Sequence, residues 1–198
     1  MVSGGHTELV VMKKPLEYEV IGATRDDAAG EAFDKIAKLL GLEYPGGPAI
    51  EREAVKGDST YVDFPVSTVP DFEFSFSGLK TAVLVYVKGK GNDFVRRNFP
   101  HILASFQKAV VEALVDKTLK ALQKYRLGTL LLAGGVAANQ ALRERFQAEA
   151  DILGFRLFVP SLQYCTDNAA MIAIAGHERL VRGMTSPLTL SPEPRLPL

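Results

Sequence analysis

The feature that most constrains this chain is an uninterrupted apolar run, Thr129-Leu130-Leu131-Leu132-Ala133, closed by Gly134-Gly135. The run has the length of a strand, and without alternation both of its faces must be dry, as in a sheet with helices on either side. The glycines after it permit a tight turn, and a helical pattern follows from about Ala137 to Leu153, stopped by Gly154. Strand, glycine turn and helix in that order predict an α/β fold with Thr129–Ala133 as a buried central strand.

The rest of the sequence is consistent with that class. Thr7–Met12 and Tyr18–Ile21 are short apolar runs separated by Lys13-Lys14-Pro15, the pattern of a hairpin. A helix is predicted from Asp26 or Asp27 to Gly41, with Ala29, Phe33, Ile36 and Leu40 as its apolar stripe. Tyr44 to Pro48 reads as a loop, with a helix restarting after Pro48. Phe72, Phe74 and Phe76 alternate with polar residues as in a half-buried strand, followed by a turn at Ser77-Gly78. Ile102–Tyr125 is a long amphipathic helix with Leu103, Phe106, Val110 and Leu114 on one side. Phe155–Val159 is another strand, and a final helix runs from near Thr166-Asp167 to about Arg182. The tail from Met184 to Leu198, with four prolines, is irregular. Strands that first meander and then alternate with helices are the pattern of a mixed-sheet α/β domain.

Composition narrows the function classes. The 198 residues are 47% hydrophobic and 23% charged, with no apolar run of the roughly 18 residues that span a bilayer. One cysteine, Cys165, forms no internal disulfide and no cysteine-only zinc site, which points to a cytoplasmic protein. Balanced charges, 23 basic and 23 acidic, argue against a domain that holds nucleic acid by bulk charge. A local basic cluster at Lys88, Lys90, Arg96 and Arg97 is either a solvated face or an RNA contact.

Several residues are chemical candidates. Val2-Ser3-Gly4-Gly5-His6-Thr7 puts two glycines and two hydroxyls in a turn, where backbone N–H groups can cradle an anion; a plain hairpin turn is the alternative. Gly134 to Asn139 follows a strand and opens a helix, a place that favours an anion or a nucleotide edge, although a structural turn needs the same glycines. Asp27, Glu31 and Asp34 lie within about 60° of one another on a helix, either as a site or as a solvated face. Gly30 on that side suggests close approach by a backbone or a ligand. Thr166 or Asp167 suits a helix N-cap, and Asp167 is also a potential metal ligand. His6, His101 and His177 have no metal-ligand spacing, and no zinc-protease motif or Walker-type phosphate loop occurs.

Taken together, Val2–Leu9, the block Gly22–Pro48, Phe74–Thr81, Ala133–Asn139 and Cys165–Asn168 resemble the TsaD family. These are tRNA threonylcarbamoyl transferases, formerly known as O-sialoglycoprotein endopeptidases. The stretch DDAAGEAFDKIAKLLGLEYPGGP is the most specific part, and Pro194–Leu198 also looks like the family's ending. The resemblance implies an actin-like, sugar-kinase-like ATPase fold of two ribonuclease H-like halves, of which this chain would hold the second complete and lack the first. Residues 1–125 would then be a remnant and inserted helical portion of the split domain and 126–198 the C-terminal ribonuclease H-like portion, together one compact unit. It implies transfer of a threonylcarbamoyl group from threonylcarbamoyl-adenylate to N6 of the adenosine next to the anticodon in tRNA, an iron or zinc ion, and an ATP-like or adenylate nucleotide.

Carried over by position, Val2, Ser3, Gly4, Gly5, Asp34, Gly47, Glu51 and Asn139 would bind substrate or nucleotide, and Asp167 would bind the metal. Ser3–Gly5 and Gly134–Asn139 should then face one cleft. The family's His-x-x-x-His metal pair has no counterpart here, so the chain is expected to be a fragment, inactive alone. A non-catalytic nucleotide-binding assembly subunit is the alternative, and a metalloprotease follows only from the old name. In bacteria the resemblance implies TsaB-like and TsaE-like partner proteins. Apolar surface left by the missing half is expected to pair two copies as a dimer.

Overall fold

The computed structural model describes residues 1–192, so the resemblance at Pro194–Leu198 lies outside the described residues. Strands β1 (Glu8–Lys14) and β2 (Glu17–Ala23) form an antiparallel hairpin. Helix α1 (Ala29–Leu39) follows with Ala29, Phe33 and Ile36 buried, as its spacing predicts. Its first turn is capped from elsewhere: Thr7 Oγ1, fully buried, accepts the Ala29 N–H at 2.8 Å.

Helix α2 (Gly46–Ala54) starts before Pro48, so the predicted loop is shorter than its composition suggests. The reason is local: the Asp34 carboxylate accepts the Gly46 N–H at 2.7 Å and satisfies one orphan donor of the new helix.

The phenylalanine alternation does not make a strand. Only Phe74 forms a bridge, to Thr24, and all three rings are buried. Ser77-Gly78 is no turn but the start of a 14-residue helix, α3 (Ser77–Lys90), followed by the short α4 (Asn92–Arg97). Asp26 makes this possible. Its carboxylate accepts the N–H groups of Phe76 (2.8 Å) and Ser77 (3.2 Å) and the hydroxyls of Ser75 and Ser77, acting as an N-cap from a distant segment.

Helix α5 (Phe99–Tyr125) is the axis of the molecule, and at 27 residues it runs about 40 Å. Its residues Leu103, Phe106, Val110 and Leu114 are buried among α1, α2, α3 and α6 (Gln140–Leu153) in one continuous core. Phe33 meets Phe106 edge-on at 5.3 Å in its centre.

Strand β3 (Thr129–Leu131) pairs in parallel with β4 (Arg156–Phe158), and the two make a sheet of their own. This corrects the expectation of a central strand dry on both faces. Leu130 and Leu157 pack inward against Leu122 and Ala150 of α5 and α6. On the other face Leu131 is 56% and Phe158 52% exposed. Helix α7 (Ala169–Leu180) buries none of its residues, and Ile172 and Ile174 are 76% and 67% exposed. One side of the sheet is therefore covered and the other is open. No helix among the described residues is long and apolar enough to cross a membrane.

Burial opposes ionisation of Asp26, but the hydroxyl and backbone donors outweigh it and hold its carboxyl below the usual range. Burial likewise opposes ionisation of Asp27, and Lys35 and Lys80 hold that group below the usual range too. A depressed carboxyl stabilises the fold above its unfolded pKa, about 3.9, and that stability is lost as pH falls through the lower folded value. Acid unfolding followed by circular dichroism should therefore begin at higher pH in Asp26→Ala. At neutral pH the variant should also lose about 1–2 kcal/mol in urea titration.

Candidate functional site: a glycine-lined cleft

The cleft is built on one stretch of extended backbone. Val2 donates its N–H to Ala133 O at 2.7 Å and accepts from Val136 N–H at 3.1 Å, which ties the first turn to the end of β3. Ser3 O accepts the Gly30 N–H at 3.1 Å, which ties the same stretch to α1. Two glycines make these approaches possible. A Cβ at Gly30 would lie 2.6 Å from Ser3 O, and one at Gly134, whose φ is +102°, would lie 2.3 Å from Val2 O. The close approach expected at Gly30 is by backbone, and Gly30 also lines the cavity.

That cavity is about 250 Å³ and is lined by Gly4, Gly30, Asp34, Gly47, Glu51, Gly135 and Asn139, with Phe33, Tyr44, Pro45, Pro48, Val136, Ala138 and Thr166. Gly4 of the first glycine turn and Gly135 of the second therefore face one cleft, as the resemblance implies. Five of the eight candidate binding residues line it: Gly4, Asp34, Gly47, Glu51 and Asn139. Val2 is buried beneath it, and Ser3 and Gly5 belong to the turn that frames it. The Ser3 hydroxyl is engaged within that turn, accepting the His6 N–H at 3.0 Å.

The acidic helix face does not act as one site. Asp27, with its side chain 12% exposed, is braced by Lys35 at 2.6 Å and Lys80 at 2.9 Å, and Glu31 pairs with Lys35 at 2.7 Å. Only Asp34 reaches the cleft, with Oδ1 on Gly46 N–H and Oδ2 without a protein partner among the described residues. The start of α6 is also committed. Glu51 accepts the Gln140 N–H at 2.5 Å, and Asn139 caps Leu142 N–H at 3.0 Å while donating to Gln107 at 2.9 Å. The place where a helix N-terminus would hold a phosphate is thus occupied by the protein's own carboxylate.

Sequence reasoning missed Tyr44 and Thr166 on the cleft wall, and it missed Arg143. From α6, Arg143 donates to Ala137 O (2.6 Å) and Pro160 O (2.9 Å) and lies 3.1 Å from the Cys165 sulfur. It ties the second glycine turn to the segment that brings Thr166 to the cavity. No sequence period announces such a link.

Asp167 is exposed and outside the cavity lining, and the N-cap of α7 is Asn168, whose side chain accepts the Met171 N–H at 3.1 Å. No group of three His, Cys, Asp or Glu side chains able to hold a metal occurs among the described residues. A lone exposed carboxylate does not make a resident iron or zinc site.

An α/β chain with two backbone turns and one carboxylate oxygen without a protein partner on a common cleft has the layout of a small-ligand-binding protein. The family model for TsaD, tRNA N6-adenosine threonylcarbamoyltransferase, matches residues 1–174, and the chain belongs to that family. It is 50% identical to the tRNA N6-adenosine threonylcarbamoyltransferase of Salinibacter ruber over 202 aligned positions, covering 100% of this chain and 60% of the relative. The protein of that name from Thermosipho africanus is also 50% identical, with 99% of this chain and 59% of the relative covered. The chain thus spans about 60% of the length of these relatives. Among solved structures, T. kodakarensis HypF shares the fold, with a TM-score of 0.61 at 18% identity over 85% of this chain and 21% of that one.

Arg143→Ala strands two carbonyl acceptors and should lower stability by about 2–3 kcal/mol. Arg143→Lys, which cannot reach both sides of the link, should recover only part of that loss. Paired thermal and urea unfolding of the two variants measures it.

Proposed function

We propose that this chain is the nucleoside-holding portion of a tRNA-modifying transferase. The reaction moves a threonylcarbamoyl group from threonylcarbamoyl-adenylate to N6 of the adenosine adjacent to the anticodon. The observation that carries this reading is the meeting of Gly4, Asp34, Gly47, Glu51 and Asn139, residues far apart in sequence, on one cleft. Its 250 Å³ lies just below the roughly 300–1,000 Å³ of typical ligand cavities, so it suits a nucleoside better than a whole acyl-adenylate. Asp34 Oδ2 would accept ribose hydroxyls, and the N–H groups of Gly4 and Gly135 would lie toward the phosphate. We read the fold as the second ribonuclease H-like half of an actin-like ATPase, a reading supported by family membership.

TsaB-like and TsaE-like proteins are the proposed bacterial partners. Alone, the chain turns nothing over, because Asp167 offers one exposed carboxylate where a metal needs several ligands. The same observation favours, as a second reading, a nucleotide-binding assembly subunit without catalysis. Turnover by this chain with adenylate, partner proteins and tRNA would count against both statements.

Calorimetry with AMP tests the cleft. Asp34→Ala should weaken binding about tenfold, or about 1.4 kcal/mol. Absence of any adenine-nucleotide binding by the parent chain would remove the main support. In the full-length protein, Asp167→Ala should reduce bound metal and activity far more than Cys165→Ala does.

The open face of β3, β4 and α7 is proposed to pair two copies of the isolated chain, since contiguous exposed apolar surface of this kind promotes association. Light scattering over a range of concentrations should give twice 21.5 kDa. A constant mass of 21.5 kDa would refute pairing.

A further inference from the structure

The basic cluster noted in the sequence takes a definite form in the fold. Lys88 and Lys90 end α3, and Arg96 and Arg97 end α4, which packs against it; all four are exposed. None of the four joins an ion pair among the described residues, whereas lysines and arginines elsewhere in the chain make twelve. From Val83 to Pro100 the only carboxylate is Asp93, so this end is strongly positive in a chain whose net charge is zero. Cations at helix C-termini also complement the helix dipole.

The cluster is also ordered. The Lys90 ammonium sits 5.6 Å from the Tyr86 ring and 5.3 Å from the Phe94 ring, between two aromatic faces that fix its position without neutralising it. Gly91 alone joins the helices, and α4 is about 9 Å long, so the four cations lie at one junction of two helices. Around them the large exposed apolar side chains among the described residues are Val85 and Tyr61, the latter hydrogen-bonded to Asn98 at the end of α4, too few to make the dry centre of a protein interface.

We propose that the joined ends of α3 and α4 dock the phosphate backbone of structured RNA, through Lys88, Lys90, Arg96 and Arg97. The partner class follows from reach as well as charge. None of the four cations lines the cleft, so a mononucleotide held there does not engage them, and a folded RNA has the size to do so. This inference rests on the reading of the chain as part of a tRNA-modifying enzyme and adds where the RNA is gripped.

The test is fluorescence anisotropy of labelled tRNA against the protein between 50 and 200 mM salt. The quadruple variant Lys88→Gln, Lys90→Gln, Arg96→Gln, Arg97→Gln should bind at least about tenfold more weakly at the lower salt. Each lost phosphate contact removes about 0.7–0.9 from the slope of log affinity against log salt, so the slope should flatten by about 3. AMP affinity should not change, which shows that the cleft and fold are intact. Lys13→Gln with Lys14→Gln, at residues already paired with Glu19 and Glu17, should leave tRNA binding as it is. A quadruple variant with parental affinity and slope overturns the docking surface and leaves the transferase reading standing. A parent protein that binds no tRNA overturns both.

Discussion

The structure depends on a crossing of backbones in which side chains have no room. The Val2–Gly4 stretch lies between α1 and the turn after β3, held by hydrogen bonds from Val2 on one side and to Ser3 on the other. Only hydrogens at Gly30 and Gly134 allow that spacing. Ligand-facing backbone is usually placed by loops that tolerate some movement. Here the two cleft turns are placed by direct contact between their own main chains, so neither can shift without displacing the other. The buried Thr7 continues the same logic, since its hydroxyl caps α1 and its carbonyl accepts the Thr24 N–H at 2.9 Å.

Charge is used around this crossing mainly to hold elements together. Asp26 starts α3, Asp27 links α1 to α3 through Lys80, and Glu51 links α2 to the start of α6. The Asp26–Phe76 and Asp27–Lys80 links are partly shielded from water, where they count for more than surface ion pairs. Arg143 does the corresponding work with carbonyls. The result is a cleft whose walls are cross-braced, with one oxygen of Asp34 left over for something else.

Much of this was legible in the sequence, and the exceptions share a cause. The stripe of α1, the long α5, the hairpin and the glycine stop of α6 were all set by local period or local backbone preference, which a sequence displays. The start of α3 was hidden because its cap, Asp26, sits about fifty residues away, so Phe-Glu-Phe-Ser-Phe-Ser-Gly looked like a strand and a turn. The same holds for α2, whose first free N–H is met by Asp34 rather than by a neighbour. The apolar run at β3 correctly announced a strand but not its exposure. A run of leucines reports that a strand is made to be covered, not how much of it is covered here, where Leu131 and Phe158 stay exposed. At the site, glycines and acids were readable as candidates. Which acid was free was not, since that depends on where Lys80 and Lys35 arrive.

The commitments at the start of α6 bear on how a nucleotide would lie. A helix N-terminus ordinarily offers unpaired N–H groups and a partial positive charge to phosphate. In this chain Glu51 and Asn139 occupy two of those groups, and Glu51 also places a negative charge there. A phosphate in the same position would meet that carboxylate and would be repelled. A neutral sugar or base would not, and Asp34 Oδ2 nearby is an acceptor suited to hydroxyls. The N–H groups of Gly4 and Gly135, at the crossing itself, have no protein acceptor among the described residues. The cleft is therefore polarised, with acceptors toward α1 and α2 and free donors toward the glycine turns. A nucleotide bound there would turn its sugar toward Asp34 and its phosphate toward the Val2–Gly4 backbone, the one orientation in which no carboxylate faces an anion.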